Sequence, residues 1–121
     1  MLADAAFIRS PPSDIPKGAL RLNTRRTIEP SELKRRLDAG ETLLIVDVRE
    51  DDEVTQGMIP GAKHIAMGTI PDRLSEIPTE GEVVLVCRSG NRSGRVYDFL
   101  EAQGYANTIN MNGGMLAWEA L

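Results

Sequence analysis

A chain of 121 residues with 41% hydrophobic but only 4% aromatic residues fits one domain with a single aliphatic core. The formal net charge of -4 argues against a general affinity for nucleic acid or for anionic membranes, because both need a basic surface. One cysteine cannot form an internal disulfide, and no apolar run in the sequence approaches the ~20 residues that span a bilayer. We therefore expect a cytoplasmic protein without a nucleic-acid or membrane partner.

The first 26 residues differ in composition from the rest of the chain. Three prolines in this segment are followed by a basic cluster formed by Arg21, Arg25 and Arg26. This composition predicts an extended N-terminal arm over residues 1–26 and a folded domain over residues 27–121. The arm is either a loosely docked tail or a segment that docks a partner.

Signals for helices and strands alternate along residues 27–121. The predicted helices span residues 30–37, 71–76 and 92–102. The predicted strands span residues 42–47, 63–66, 82–86 and 107–110. This alternation predicts a single α/β domain with a central, mainly parallel sheet and helices on both faces. In such sheets, ligands bind beyond the carboxyl ends of the strands.

The single cysteine lies where the predicted strand 82–86 ends and before the predicted helix 92–102 begins. The connecting loop reads Cys87, Arg88, Ser89, Gly90, Asn91, Arg92 and Ser93. Backbone N–H groups at a helix N-terminus have no helical partners, and two arginines add positive potential. A lone cysteine is more often an inert core residue, but this small, polar and basic loop predicts a thiolate at Cys87 with a lowered pKa.

The loop matches the Cys-x-x-Gly-x-Arg pattern of the rhodanese-like sulfurtransferases, and three other segments resemble that family. These segments are residues 44–50 (LIVDVRE), 57–62 (GMIPGA) and 112–118 (NGGMLAW). Met58 stands where the family often has histidine. The resemblance is strongest to single-domain rhodaneses and to the rhodanese domain of adenylyltransferases that activate small sulfur-carrier proteins. It covers residues 27–121 and implies the rhodanese-like fold.

The resemblance implies that Cys87 takes sulfane sulfur from thiosulfate or a persulfide donor and holds it as a persulfide. The acceptor is then cyanide, a thiol or a protein, and two successive displacements predict ping-pong kinetics. The residues expected to bind the substrate are Arg88, Ser89, Gly90, Asn91, Arg92 and Ser93. We expect no cofactor and no metal, because one cysteine and one histidine are a poor set of zinc ligands.

Two other functions share this sequence pattern. The first is a cysteine-dependent phosphatase, since a thiolate, an arginine and a ring of amides also bind phosphate. Here four residues separate Cys87 from Arg92, whereas cysteine phosphatases place one residue more there, so the smaller ring leaves less room for a phosphoryl group. The second is a non-catalytic interaction module of the same fold, which the intact Cys87 argues against.

Three polar residues outside the loop receive structural roles. Asp47 and Arg49 end a strand at the sheet edge where Cys87 is expected, and we predict that an ion pair between them, or a network that includes Glu53, supports the loops near the site. His64 is the only histidine. We predict a structural role for it as well, because the loop can activate a thiolate without a general base.

Overall fold

A computed structural model describes residues 25–121, so residues 1–24 of the predicted arm lie outside the described part of the chain. The strands are β1 (Thr27–Ile28), β2 (Leu44–Asp47), β3 (Lys63–His64), β4 (Val83–Val86) and β5 (Thr108–Met111). The helices are α1 (Pro30–Asp38), α2 (Asp51–Val54), α3 (Asn91–Ala102) and α4 (Gly114–Glu119), with a 3-10 segment at Met67–Glu76. Within this part, no helix is long and apolar enough to cross a membrane.

The five strands form one parallel sheet in the order β1-β5-β4-β2-β3. Strand β4 is central, with Leu85 opposite Val46 of β2 on one side and opposite Asn110 of β5 on the other. A strand that is covered on both faces is expected to be apolar throughout, as Val83–Val86 is. The predicted α/β fold with a parallel sheet is confirmed.

The sheet separates two hydrophobic cores, one on each face, where the composition predicts a single core, and alternate residues of β4 enter both. Val83 and Leu85 pack on the face that is covered by α3 and the 3-10 segment. Val84 and Val86 pack on the opposite face, which is covered by α1 and α4. Successive side chains of a strand point to opposite faces, so one four-residue strand contributes to both cores and fixes Cys87 at its end.

The structure contains three elements that the sequence patterns do not indicate: β1, α2 and α4. Each is too short to show a helical or strand period. The helix predicted at residues 71–76 belongs instead to the longer 3-10 segment, which contains Pro71 and a kink at Arg73. Bounds of the remaining predicted elements differ from the structure by one or two residues, as is usual for frayed ends.

The first described residues of the chain lie against α3. Arg25 forms a bidentate ion pair with Asp98, at distances of 3.0 and 2.7 Å. The backbone N–H of Arg26 donates to the hydroxyl of Tyr97 at 2.9 Å, and its carbonyl accepts from the N–H of Asn110. These bonds attach the chain entering β1 to strand β5 and to the helix that begins at the cysteine loop.

Candidate active site

The sulfur of Cys87 lies at the carboxyl end of β4, directly below the N-terminus of α3. Residue Cys87 is completely buried. The loop turns back at Gly90, whose φ of 102° is in the left-handed region that favours glycine. This turn brings the Gly90 N–H to 3.0 Å from Sγ, and the Ser93 hydroxyl lies 3.4 Å from the same atom. The loop thus forms a ring of donors around the sulfur.

Two opposing effects act on the ionisation of Cys87. Burial by itself raises the pKa of the thiol, because it penalises the charged form. The Ser93 hydroxyl and the backbone N–H groups of Ser93, Gly90 and Ser89 all stabilise the thiolate, and together they lower the pKa below its ordinary value. Hydrogen bonding within the loop therefore outweighs the effect of burial on the pKa of Cys87.

Arg92, a predicted substrate-binding residue, forms a bidentate ion pair with Glu53 of α2. The two N–O distances are 2.7 and 2.8 Å. Glu53 also caps its own helix by accepting from the N–H of Glu50 at 3.0 Å. Arg92 and this N–H bond lower the pKa of Glu53 to about 2. The charge of Arg92 is thus balanced by a carboxylate at the rim of the site.

Asp47, the last residue of β2, forms a second ion pair with Arg49. The guanidinium of Arg49 contacts both carboxylate oxygens of Asp47 and also donates to the carbonyl of Gly57 at 2.7 Å. His64 contacts the carbonyl of Arg49 through Nε2 at 2.6 Å. Strand β2 lies between β3 and β4, so this histidine is one strand away from the strand that ends at Cys87.

The N-terminus of α4 is fastened to the cysteine loop. Met115 N–H donates to the carbonyl of Cys87 at 2.8 Å, and Leu116 N–H donates to the carbonyl of Arg88 at 3.0 Å. A Cβ at Gly114 would lie 2.5 Å from the backbone of both loop residues, and Gly114 has φ +58°. The Gly-Gly pair in the sequence therefore marks a close approach of two backbones.

An open cleft of about 390 Å³ lies beside the loop. It is lined by Arg49, Asp52, Glu53, Gln56, Arg88, Met115, Leu116 and Glu119. Within residues 25–121, Arg88 has no ion-pair partner, so it adds a positive charge next to Cys87. Asn91 begins α3 and is exposed. In the same part of the chain, no three His, Cys, Asp or Glu side chains are grouped to hold a metal ion.

Asn110 of β5 is a polar neighbour of Ser93 and of the cysteine loop that the sequence patterns do not indicate. Its Oδ1 accepts from the Ser93 hydroxyl at 2.5 Å, and its Nδ2 donates to the carbonyl of Gly90 at 3.3 Å. The sequence signal that could have pointed to it is a polar asparagine between the apolar residues Ile109 and Met111 in the strand Thr108–Met111. Its partners, however, lie on another element, which a local pattern does not reveal.

A profile of the rhodanese-like domain matches residues 29–121. This chain belongs to the rhodanese-like family. It is 47% identical over 94 residues to YtwF of Bacillus subtilis, covering 78% of this chain and 90% of YtwF. It is 45% identical over 91 residues to an Allochromatium vinosum protein named sulfurtransferase, and the match covers 75% of this chain and 85% of that protein.

Solved structures of similar proteins indicate the same family as the sequence relatives. The crystal structure of a rhodanese-like domain protein from Staphylococcus aureus superposes with a TM-score of 0.73 at 43% identity, covering 77% of this chain and 90% of that one. The resemblance to the family and the rhodanese fold are both confirmed. Relatives named sulfurtransferase support a rhodanese-type sulfur-transfer role for this chain.

Proposed function

We propose that this rhodanese-like protein transfers sulfane sulfur from thiosulfate or a persulfide donor to a thiophilic acceptor through a persulfide on Cys87. The observation behind the proposal is the ring of donors around Sγ, which combines the Ser93 hydroxyl with backbone N–H groups of the loop. The backbone donors are fixed and need no rearrangement, so they stabilise an anionic sulfur throughout a reaction.

In the first step, the Cys87 thiolate attacks the outer sulfur of thiosulfate. A bond forms between Sγ and that sulfur, the sulfur–sulfur bond of thiosulfate breaks, and sulfite leaves with the bonding electron pair. Arg88 lines the cleft beside the loop and attracts the dianionic donor. The backbone N–H groups of the loop then hold the negative charge of the persulfide.

In the second step, the acceptor attacks the outer sulfur of the persulfide. The bond between Sγ and the outer sulfur breaks, and its electron pair returns to Sγ as the thiolate. Dividing the transfer into two displacements separates donor from acceptor, so the reaction follows ping-pong kinetics. Both steps balance with only the donor, Cys87 and the acceptor.

A cellular thiol or a protein thiol is the acceptor that best suits the cleft. Its volume of about 390 Å³ exceeds what cyanide needs, and apolar Met115 and Leu116 line it together with Arg88. Leu116 is exposed although it is a large hydrophobic residue.

The phosphatase alternative finds less support in the site. A cysteine phosphatase needs its arginine to contact the phosphoryl oxygens beside the thiolate. Here both terminal nitrogens of Arg92 are engaged by Glu53. The short spacing between Cys87 and Arg92 argues in the same direction, because it makes the ring of amides smaller.

Intact-protein mass spectrometry tests the proposal directly. After incubation with thiosulfate, we expect the protein to gain one sulfur atom on Cys87, and added cyanide should remove it as thiocyanate. The Cys87→Ser variant, which keeps the shape of the side chain, should do neither. A folded wild-type protein with a free thiol that forms no persulfide would contradict the proposal. Cys87-dependent release of phosphate from an aryl phosphate would favour the phosphatase.

A further inference from the structure

The Ser93 hydroxyl has two neighbours that compete for its single hydrogen. Its oxygen lies 2.5 Å from Oδ1 of Asn110 and 3.4 Å from Sγ of Cys87. Ser93 and Asn110 are 0% and 5% exposed, so neither depends on bulk solvent for a partner. A hydroxyl donates one hydrogen bond at a time. While Cys87 is a thiol, the shorter contact takes the hydrogen, and the S–H can donate to the serine oxygen.

The orientation of the Asn110 amide follows from its other neighbour. Its Nδ2 lies 3.3 Å from the carbonyl oxygen of Gly90 and donates to it. Rotating the amide by half a turn would place Oδ1 against that carbonyl, so that two acceptors would face each other. The network therefore fixes Oδ1 as the acceptor for Ser93.

We propose that Asn110 is a positioning residue that holds the Ser93 hydrogen away from the Cys87 sulfur and releases it when that sulfur ionises. On ionisation, the thiol proton leaves to solvent and the S–H no longer donates to Ser93. The hydroxyl then turns toward Sγ and makes a charge-assisted hydrogen bond. Oδ1 of Asn110 loses its donor at the same moment, so Asn110 opposes the ionised form.

This competition has a consequence for catalysis, which rests on the proposed sulfur transfer. A thiolate that is less strongly stabilised is intrinsically more nucleophilic. In the persulfide, Sγ is bonded to the outer sulfur and carries no proton, so the Ser93 hydrogen returns to Asn110. Asn110 therefore favours the sulfur-loaded enzyme over the free thiolate.

Other charges near the loop act independently of this hydrogen. The charged side chains around the loop and its cleft are Arg88, Arg92, Arg49, Asp47, Glu50, Asp52, Glu53 and Glu119. No hydrogen bond joins any of these side chains to Ser93 or Asn110 within residues 25–121. An effect of Asn110 that requires Ser93 is thus separable from electrostatic effects of the surrounding ion pairs.

The pH profile of Cys87 alkylation by iodoacetamide tests the proposal. Asn110→Leu removes the acceptor with little change in size, so Ser93 can donate to Sγ without competition. We expect the apparent pKa of Cys87 to fall by about half a unit to one unit. In a Ser93→Ala background, the same substitution should leave the pKa unchanged. Asn112→Leu is the matched control, because the Asn112 amide bonds Glu29 instead, and it should not shift the profile.

A pKa that rises or stays constant in Asn110→Leu would overturn the proposal, as would a shift that persists without Ser93. The second result would mean that Asn110 acts through the Gly90 carbonyl or through packing. Should Asn110→Leu fail to fold, the smaller Asn110→Val has the same expected outcome. Alkylation needs no sulfur donor, so failure of this proposal is distinguishable from failure to form a persulfide with thiosulfate.

Discussion

Two arginine–carboxylate pairs flank the cysteine loop, and they differ mainly in burial. Asp47 and Arg49 have side chains that are 1% and 6% exposed, whereas Glu53 and Arg92 are 26% and 27% exposed. Both pairs are bidentate, with N–O distances between 2.7 and 2.9 Å for their best contacts. The same bidentate ion pair thus occurs in a buried and in a partly exposed environment near the cysteine loop.

The difference in burial assigns the pairs different roles. A buried charge that loses its partner cannot be solvated, so the pair between Asp47 and Arg49 must stay intact and supports the loop that contains Gly57. The pair between Glu53 and Arg92 is reached by water, so each of its charges stays partly solvated when the partner is lost, and the pair contributes less to stability.

The largest effect is expected when the buried pair is broken. Asp47→Ala leaves the guanidinium of Arg49 buried without its carboxylate, and we expect a loss of about 3–5 kcal/mol in the free energy of unfolding. Urea denaturation monitored by circular dichroism measures this loss. Glu53→Ala is the matched control and should cost about 1 kcal/mol or less. Equal losses in the two variants would show that burial does not distinguish the pairs.

A smaller effect is expected on sulfur transfer when the exposed pair is broken. Arg92→Ala removes a cation near Cys87 and leaves the Glu53 carboxylate unbalanced. We expect the apparent pKa of Cys87 to rise and the KM for thiosulfate to increase about threefold to tenfold, the equivalent of roughly 1 kcal/mol. Steady-state thiocyanate formation and the pH profile of alkylation measure the two quantities.

The control for this variant is His64→Ala, since His64 contacts the carbonyl of Arg49 and belongs to a different strand. It should change neither the pKa of Cys87 nor the KM for thiosulfate appreciably. An alkylation profile that shifts in the His64 variant but not in Arg92→Ala would contradict both assigned roles.

The fold was largely predictable because its signals are local. Alternation of apolar runs and helical periods indicated the parallel sheet, and the apolar strand β4 followed by a small, basic loop indicated the position of Cys87. Gly90 illustrates the same point, since its left-handed φ of 102° fits the turn that the loop sequence requires. Strand β1 offers no such signal, because its two residues lie between charged residues and form no apolar run.

The arrangement of charges and donors was less predictable because it depends on tertiary contacts. Arg92 meets Glu53 across 39 residues of sequence, and the sequence indicated only that Glu53 belongs to a supporting network. Asn110 reaches Ser93 and Gly90 because β5 pairs with β4 in one particular register. Such contacts follow from the packing of α3 on the sheet, which no local pattern specifies.

The smallest effect is a pH dependence of stability that arises from the pair between Glu53 and Arg92. Arg92 holds the pKa of Glu53 at about 2 in the folded protein, below the pKa of about 4.3 that a glutamate has in an unfolded chain. A carboxyl with a lowered folded pKa stabilises the fold above its unfolded pKa and loses that contribution as pH falls toward the folded value.

The stability difference between wild type and Glu53→Gln tests this dependence. Glutamine keeps the shape of the side chain but cannot ionise, so its variant lacks the titration. We expect a difference of about 1 kcal/mol in urea denaturation near pH 6, shrinking steadily between about pH 4.5 and pH 2. A difference that stays constant over this range would mean that Glu53 acts through its hydrogen bonds to the Glu50 N–H and Arg92 rather than through its charge. The exposed pair would then be as rigid a support as the buried one.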